Sequence, residues 1–355
     1  MTRREKALAL LHAGTVIPAT PLALTEKREF DEEQQKVLTG YYLAAGAGGI
    51  ATAVHSTQFE IRMPQYNLFE RVLRTVAGAI DEYEQKTGRV IVRVAGVCGK
   101  TAEAVHEAKI AKEYGYDAVL LSPGGLNDLT EEQMLARTEA VAREMPVIGF
   151  YLQTAVGGRR FSYEYWARLC EIPNVVAIKS APFNRYQTLD VVRAAALSSR
   201  AGEITLYTGN DDNIVVDLLT EYRFQKDGAT YKKRFEGGLL GHWSIWTKKV
   251  VEMFGNIKKN HTVTPEMLTL AAEITDANAV VFDAAHNFAG CIPGIHEVLR
   301  RQGLMKGTWC LDPDETLSPG QSEELDRVLA TYPHLVDDDF VKKYLNGVEK
   351  EGGSA

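Results

Sequence analysis

The chain has 355 residues, 45% of them hydrophobic and 25% charged, with a formal net charge of −7. These figures describe a globular protein able to bury a large core, and the acidic balance excludes an electrostatic footprint for nucleic acid or anionic membrane. No apolar run approaches the ~20 residues of a membrane span. The charged start Met1–Lys6 leads into a helical pattern rather than a signal peptide. Cys98, Cys170, Cys291 and Cys310 lie too far apart for a zinc site or a disulfide framework, so a reducing cytoplasm is the expected home.

Short apolar runs alternate with longer amphipathic ones. The strand candidates are Thr15–Ala19, Gly49–Val54, Val90–Val97, Ala118–Leu121, Val147–Tyr151, Val175–Lys179, Ile204–Thr208 and Gly238–Ile245. Helical patterns follow them over Asp31–Ala45, Gln65–Gln85, Thr101–Tyr114, Glu131–Arg143, Tyr163–Cys170, Tyr186–Ser198, Asn213–Tyr222 and Thr247–Lys258. Gly115 stands where a helix-ending glycine belongs, and Thr130 with Gln133 spells a capping box. Strand and helix in strict alternation predict an α/β protein of the (β/α)8 barrel type over residues 1–260. No GxGxxG follows the first strand, which argues against a dinucleotide fold. Residues 261–355 open on the helix-start signal Thr264-Pro265. They continue as helical patterns at Glu266–Thr275, Gly294–Gln302, Gln321–Thr331 and Asp338–Leu345, and predict a helical extension packed on the barrel, with a frayed end at Glu351–Ala355.

The run Val175-Val176-Ala177-Ile178 reads as a strand buried on both faces, and Lys179 follows where the chain should still be inside. A buried ammonium is costly, so this lysine needs a carboxylate partner or sits neutral, and a neutral amine is a nucleophile toward carbonyls. In a barrel the strand C-termini deliver the chemistry. Strand five delivers Tyr151 next to Lys179, and a hydroxyl beside an amine suits imine formation and proton transfer. Strand two delivers His55, Ser56 and Thr57, two hydroxyls for a carboxylate and an imidazole for acid–base work or a hydrogen bond. Strand seven delivers Asp211 and Asp212, which read as caps of the next helix rather than metal ligands. Strand eight delivers His242 and Trp243 toward the pocket, although a Trp on a barrel strand more often belongs to the core.

These residues resemble the dihydrodipicolinate synthase and N-acetylneuraminate lyase group of class I aldolases, from about Gly14 to Leu329. The opening Gly14-Thr15-Val16-Ile17-Pro18-Ala19-Thr20-Pro21, Tyr151, Pro173–Lys179 and Gly209-Asn210-Asp211-Asp212 carry the likeness. It implies a (β/α)8 barrel with a helical extension, usually a homotetramer (a dimer being the alternative). It implies a lysine that forms an imine with a 2-oxo acid, here Lys179, and a proton-relaying tyrosine, here Tyr151. No metal and no organic cofactor is implied. The family's Gly-Thr-Thr-Gly-Glu stretch falls on His55-Ser56-Thr57-Gln58-Phe59, which keeps only the hydroxyls. The tyrosine pair after strand four is replaced by Pro123-Gly124-Gly125, and the synthases' arginine has no match in Thr154–Gly157, although Arg159 and Arg160 follow. The expectation is a Schiff-base lyase, aldolase or dehydratase, acting on a 2-oxo acid with a large tail that His242 and Trp243 would face, and not a true dihydrodipicolinate synthase. The alternative is a catalytically silent relative that binds a small acid or a protein partner.

Overall fold

The computed structural model describes residues 1–260 and 262–352; of the end expected to fray, Glu351 and Gly352 close the last helix and residues 353–355 lie outside the described residues. The strands are β1 (Val16–Pro18), β2 (Gly49–Thr52), β3 (Val92–Val97), β4 (Ala118–Leu121), β5 (Val147–Leu152), β6 (Val175–Ala181), β7 (Thr205–Thr208), β8 (Tyr222–Lys226), β9 (Ala229–Lys233) and β10 (Phe235–Leu240). Among the described residues eight of them form one parallel sheet in the order β1-β10-β7-β6-β5-β4-β3-β2, and β8 and β9 form a separate antiparallel hairpin. The ring closes between β1 and β2 by a bridge from Ala19 to Ala51, where the Thr20 N–H donates to the Ala51 carbonyl at 2.9 Å. The protein is a (β/α)8 barrel with helices at its C-terminal side.

Alternation along each strand sorts side chains between the barrel interior and the layer under the helices. Ile17, Val92, Val94, Ala118, Leu120, Ile148, Phe150, Leu152, Ala177 and Ala181 pack together inside the ring. Their neighbours Val147, Tyr151, Val175 and Ile178 join the outer core. The helix over Arg3–Ala13 covers the N-terminal end: Leu11 enters the interior cluster and the Tyr207 hydroxyl donates to its carbonyl at 2.7 Å. Arg3 pins this helix through Glu84 at 2.9 Å and Asp117 at 2.5 Å. With that end filled, the C-terminal mouth is where a ligand can enter.

Three expectations need correction. The eighth barrel strand is Phe235–Leu240 rather than Gly238–Ile245, because a 3-10 turn over His242–Ser244 bends the chain after Gly241. The Ser244 hydroxyl stabilises that bend by donating to the Gly241 carbonyl at 2.6 Å. The helix read over Asn213–Tyr222 covers only Ile214–Leu219, and the β8–β9 hairpin follows it. Its turn is Asp227-Gly228, with φ of 50° and 77°, the left-handed pair that tight hairpins favour. The helix expected from Gln65 begins at Phe69, after 3-10 turns at His55–Thr57 and Phe59–Arg62.

The remaining helices lie close to their expected positions, and both caps form. Thr130 and Gln133 exchange side-chain to backbone bonds, and Thr264 accepts from the Met267 N–H with Pro265 in the first turn. The helices over Pro265–Val281, Cys291–Arg301, Gln321–Thr331 and Asp338–Gly352 follow Thr247–Asn260. They are tied to the barrel at the mouth: Asn278 donates to the Asp211 carbonyl at 2.7 Å, the Leu311 N–H to Gln58 at 2.6 Å, and Tyr66 to the Leu311 carbonyl at 3.0 Å.

Candidate active site

Lys179 sits on the same face of β6 as Ala177 and Ala181, inside the ring, and is 8% exposed. Its register partner on β5 is Phe150, whose ring lies 4.5 Å from the ammonium nitrogen. Room for the side chain depends on Gly209: a Cβ there would fall 2.5 Å from Lys179 Cε and 2.8 Å from Ala181 Cβ. Burial lowers the lysine toward its neutral amine, and the charge of Asp211 opposes that shift.

The lysine opens into a cavity of about 70 Å³ at the C-terminal mouth. Its walls come from His55 and Ser56 after β2, Phe150 and Leu152 on β5, Gln153 after it, Phe183 after β6, and Asp211 after β7. Its roof is Phe282, Phe288, Cys291 and Ile295, all from the C-terminal segment. Phe183 and Phe288 meet edge to face at 5.7 Å, and both have left-handed φ, 50° and 67°. Bulky residues rarely tolerate that region, so the pair is held there by its surroundings.

Asp211 does not cap the next helix. Asn213 stands at the N-terminus of that helix and makes no side-chain cap bond. One Asp211 oxygen accepts the His242 N–H at 3.1 Å, and burial raises its carboxyl well above the ordinary carboxylate range. The turn carrying it is held by Asp217, a buried carboxylate that accepts from Thr208, Asn210, Asn213, Arg185 and Tyr222 at 2.6 to 3.3 Å. Asn210 also accepts the Phe183 N–H at 3.1 Å, which joins the loops after β6 and β7.

The other expected residues divide. Ser56 lines the cavity and donates to the Ala19 carbonyl at 2.7 Å; Thr57 is fully buried and donates to the Thr20 carbonyl at 2.7 Å, so it ties the turn after β2 to the end of β1. His55 lines the cavity, partly buried, and burial together with the Lys179 charge pushes it down to about 4. Tyr151 does not project beside Lys179. It points outward against Trp166 at 5.0 Å and Phe161 at 5.8 Å, and its oxygen accepts the Phe161 N–H at 3.3 Å. The reason is strand parity: Phe150 and Leu152 take the inward positions, and Tyr151 between them faces out. His242 lies behind the wall, 3% exposed with its ring edge-on to Trp246 at 5.9 Å, and only its neighbour Gly241 reaches the cavity. Trp243 is core, packed on Phe254 at 6.0 Å. The large apolar surface expected from His242 and Trp243 comes instead from Phe183 and the roof. Among the described residues no three His, Cys, Asp or Glu side chains gather as a metal-binding set, and no helix is long and apolar enough to cross a membrane.

A parallel eight-stranded barrel with an amine buried at its C-terminal mouth has the fold and the nucleophile that an aldolase-type lyase needs. Comparison with known proteins agrees. Residues 13–221 match the model of the dihydrodipicolinate synthetase family, and the chain belongs to that family. It is 25% identical to N-acetylneuraminate lyase 2 of Escherichia coli over 316 residues, 88% of this chain and 90% of that one. It is 28% identical to 4-hydroxy-tetrahydrodipicolinate synthase of Syntrophobacter fumaroxidans over 195 residues, 54% of this chain and 61% of that one. The crystal structure of dihydrodipicolinate synthase from Oceanobacillus iheyensis superposes with a TM-score of 0.72 at 15% identity, covering 94% of this chain and all of that one, a likeness of fold.

Proposed function

We propose that this lyase works through a Schiff base between Lys179 and a 2-oxo acid with an apolar tail. The observation that carries the reading is an amine buried in a cavity at the barrel mouth, stacked on Phe150 and free of any direct ion pair among the described residues. Lys179 attacks the ketone at C2, water leaves, and the protonated imine draws electrons from the bonds at C3, where a C–C or C–O bond breaks or forms. Ser56 reaches the acid's carboxylate by turning its hydroxyl away from the Ala19 carbonyl it now donates to, and Thr57 holds the turn behind it. Phe183, Phe282, Phe288 and Ile295 favour an apolar tail, because such a wall leaves polar groups without partners.

The same wall disfavours a polyhydroxylated sugar acid. Two features count against true dihydrodipicolinate synthase activity. Arg159 Nη1 is turned to the Leu126 and Leu129 carbonyls at 3.1 and 2.5 Å, and Pro123-Gly124-Gly125 carries no phenol. A silent acid-binding relative is the second reading. It is favoured by β5 offering Lys179 a phenyl ring instead of a hydroxyl.

Borohydride trapping with a panel of 2-oxo acids, read by intact mass, separates the two. The expected result is a reduced adduct on Lys179, largest for aryl-tailed acids, that disappears with all turnover in a folded Lys179→Ala variant. An adduct on another lysine, or unchanged turnover in that variant, removes the mechanism. Saturable acid binding with no adduct favours the silent relative.

A further inference from the structure

We propose that Asp211 is the catalytic proton carrier for Lys179, taking up and returning the protons that imine and enamine formation require. This rests on the Schiff-base reading above.

The structure narrows the candidates. On β5 the position facing the amine is Phe150, and the nearby phenol of Tyr151 is turned into the outer core with its oxygen engaged by Phe161. The His242 ring lies behind the wall. His55 reaches the cavity, but an imidazole held near 4 is a poor base at neutral pH. Asp211 lines the same cavity as Lys179. One of its oxygens is fixed by the His242 N–H, and its carbonyl by Asn278. The other carboxylate oxygen accepts from no residue among those described. No direct ion pair joins Asp211 to Lys179, so the amine and the carboxyl group stand apart on the walls of one cavity.

The groups facing Asp211 are Lys179 from β6, His55 from the turn after β2, its neighbour Asp212, and Cys291 from the roof. Burial disfavours charge on both members of the central pair. Ammonium with carboxylate and amine with carboxylic acid contain the same single proton, so one transfer interconverts them.

The steps balance on that proton. Asp211 takes it from the ammonium, leaving Lys179 as an amine and itself as an acid. The amine nitrogen bonds to C2 and passes one of its own protons to the ketone oxygen, which becomes the carbinolamine hydroxyl, and the Asp211 proton converts this hydroxyl to departing water. The product is a protonated imine and an Asp211 carboxylate. That carboxylate then removes a proton from C3, the C3–H electron pair forms the C2–C3 double bond, and the imine becomes a neutral enamine. The reverse transfer protonates C3.

The test follows two rates on the full chain with pyruvate and with 2-oxo-4-phenylbutanoate: borohydride trapping at Lys179, and exchange of the C3 protons in deuterated water by NMR. Asp211→Asn preserves an acceptor for the His242 N–H. It should slow C3 exchange by about a hundredfold or more while prolonged trapping still labels Lys179. Asp211→Glu should restore part of the exchange, and the pH dependence of exchange should lose one limb in the asparagine variant. If that variant fails to fold, Asp211→Ser is read by the same two rates. Exchange within threefold of wild type in a folded variant that still traps overturns the role of Asp211 and leaves the Schiff base standing. Absence of any Lys179 adduct in the wild-type protein overturns both.

Discussion

At the level of single residues, parity decides what each side chain can do. Lys179 and Phe150 are register partners on neighbouring parallel strands, so they share the inner face, and Tyr151 is excluded from it. Tyr151→Phe removes an oxygen whose one described bond is from the Phe161 N–H. It should cost about 1 kcal/mol of stability and leave turnover within threefold of wild type. A hundredfold loss of turnover would return the proton relay to the tyrosine. Lys179 was legible in the sequence because one charge interrupts a β-branched run. The orientation of Tyr151 was not, because Val147-Ile148-Gly149-Phe150-Tyr151-Leu152 is apolar on both faces and carries no period. Asp211 was visible as a residue and misread as a cap, since only the fold reveals that the His242 N–H, from a distant turn, meets its carboxylate.

Among the elements, the turn after β7 bears most directly on the lysine. Gly209 gives up its Cβ so that Lys179 can lie across it, and Asp217 gathers five donors to hold the turn in place. Gly209→Ala should therefore displace the lysine, and it should also cost stability, because Ala181 Cβ is fixed to β6 and stands 2.8 Å from the added carbon. We expect a loss of at least tenfold in the rate of imine trapping together with a lowered melting temperature; unchanged trapping would mean that Lys179 reacts from another rotamer. The barrel strands and most helices were legible from periodicity and caps. The β8–β9 hairpin was equally legible, with Asp227-Gly228 between alternating runs, but the helical pattern at Asn213 masked it. The aromatic roof left no signal, because nothing in the sequence near Phe282 or Phe288 names the strand ends they cover.

For the molecule as a whole, acid is the expected weakness. His242 and His296 are buried, and burial pushes each from the ordinary 6.5 down to about 4. Below pH 6.5 the unfolded chain takes up protons that the folded one refuses. The stability these neutral rings contribute is complete above 6.5 and is lost as pH falls toward 4. Between pH 6.5 and 5 each accounts for up to about 2 kcal/mol. Thermal melting should therefore fall steeply over that range, and His296→Leu should flatten the fall; equal slopes in the two proteins would show that other groups dominate.

The roof also sets an order of events during synthesis. Lys179, Phe150 and the strands around them leave the ribosome well before Phe282, Phe288 and Ile295. A nascent barrel would hold its amine uncovered, in contact with water, until the helix over Cys291–Arg301 docks across the mouth. The reactive group is thus assembled early and enclosed late, so the unfinished protein has the nucleophile without the apolar chamber that selects its substrate.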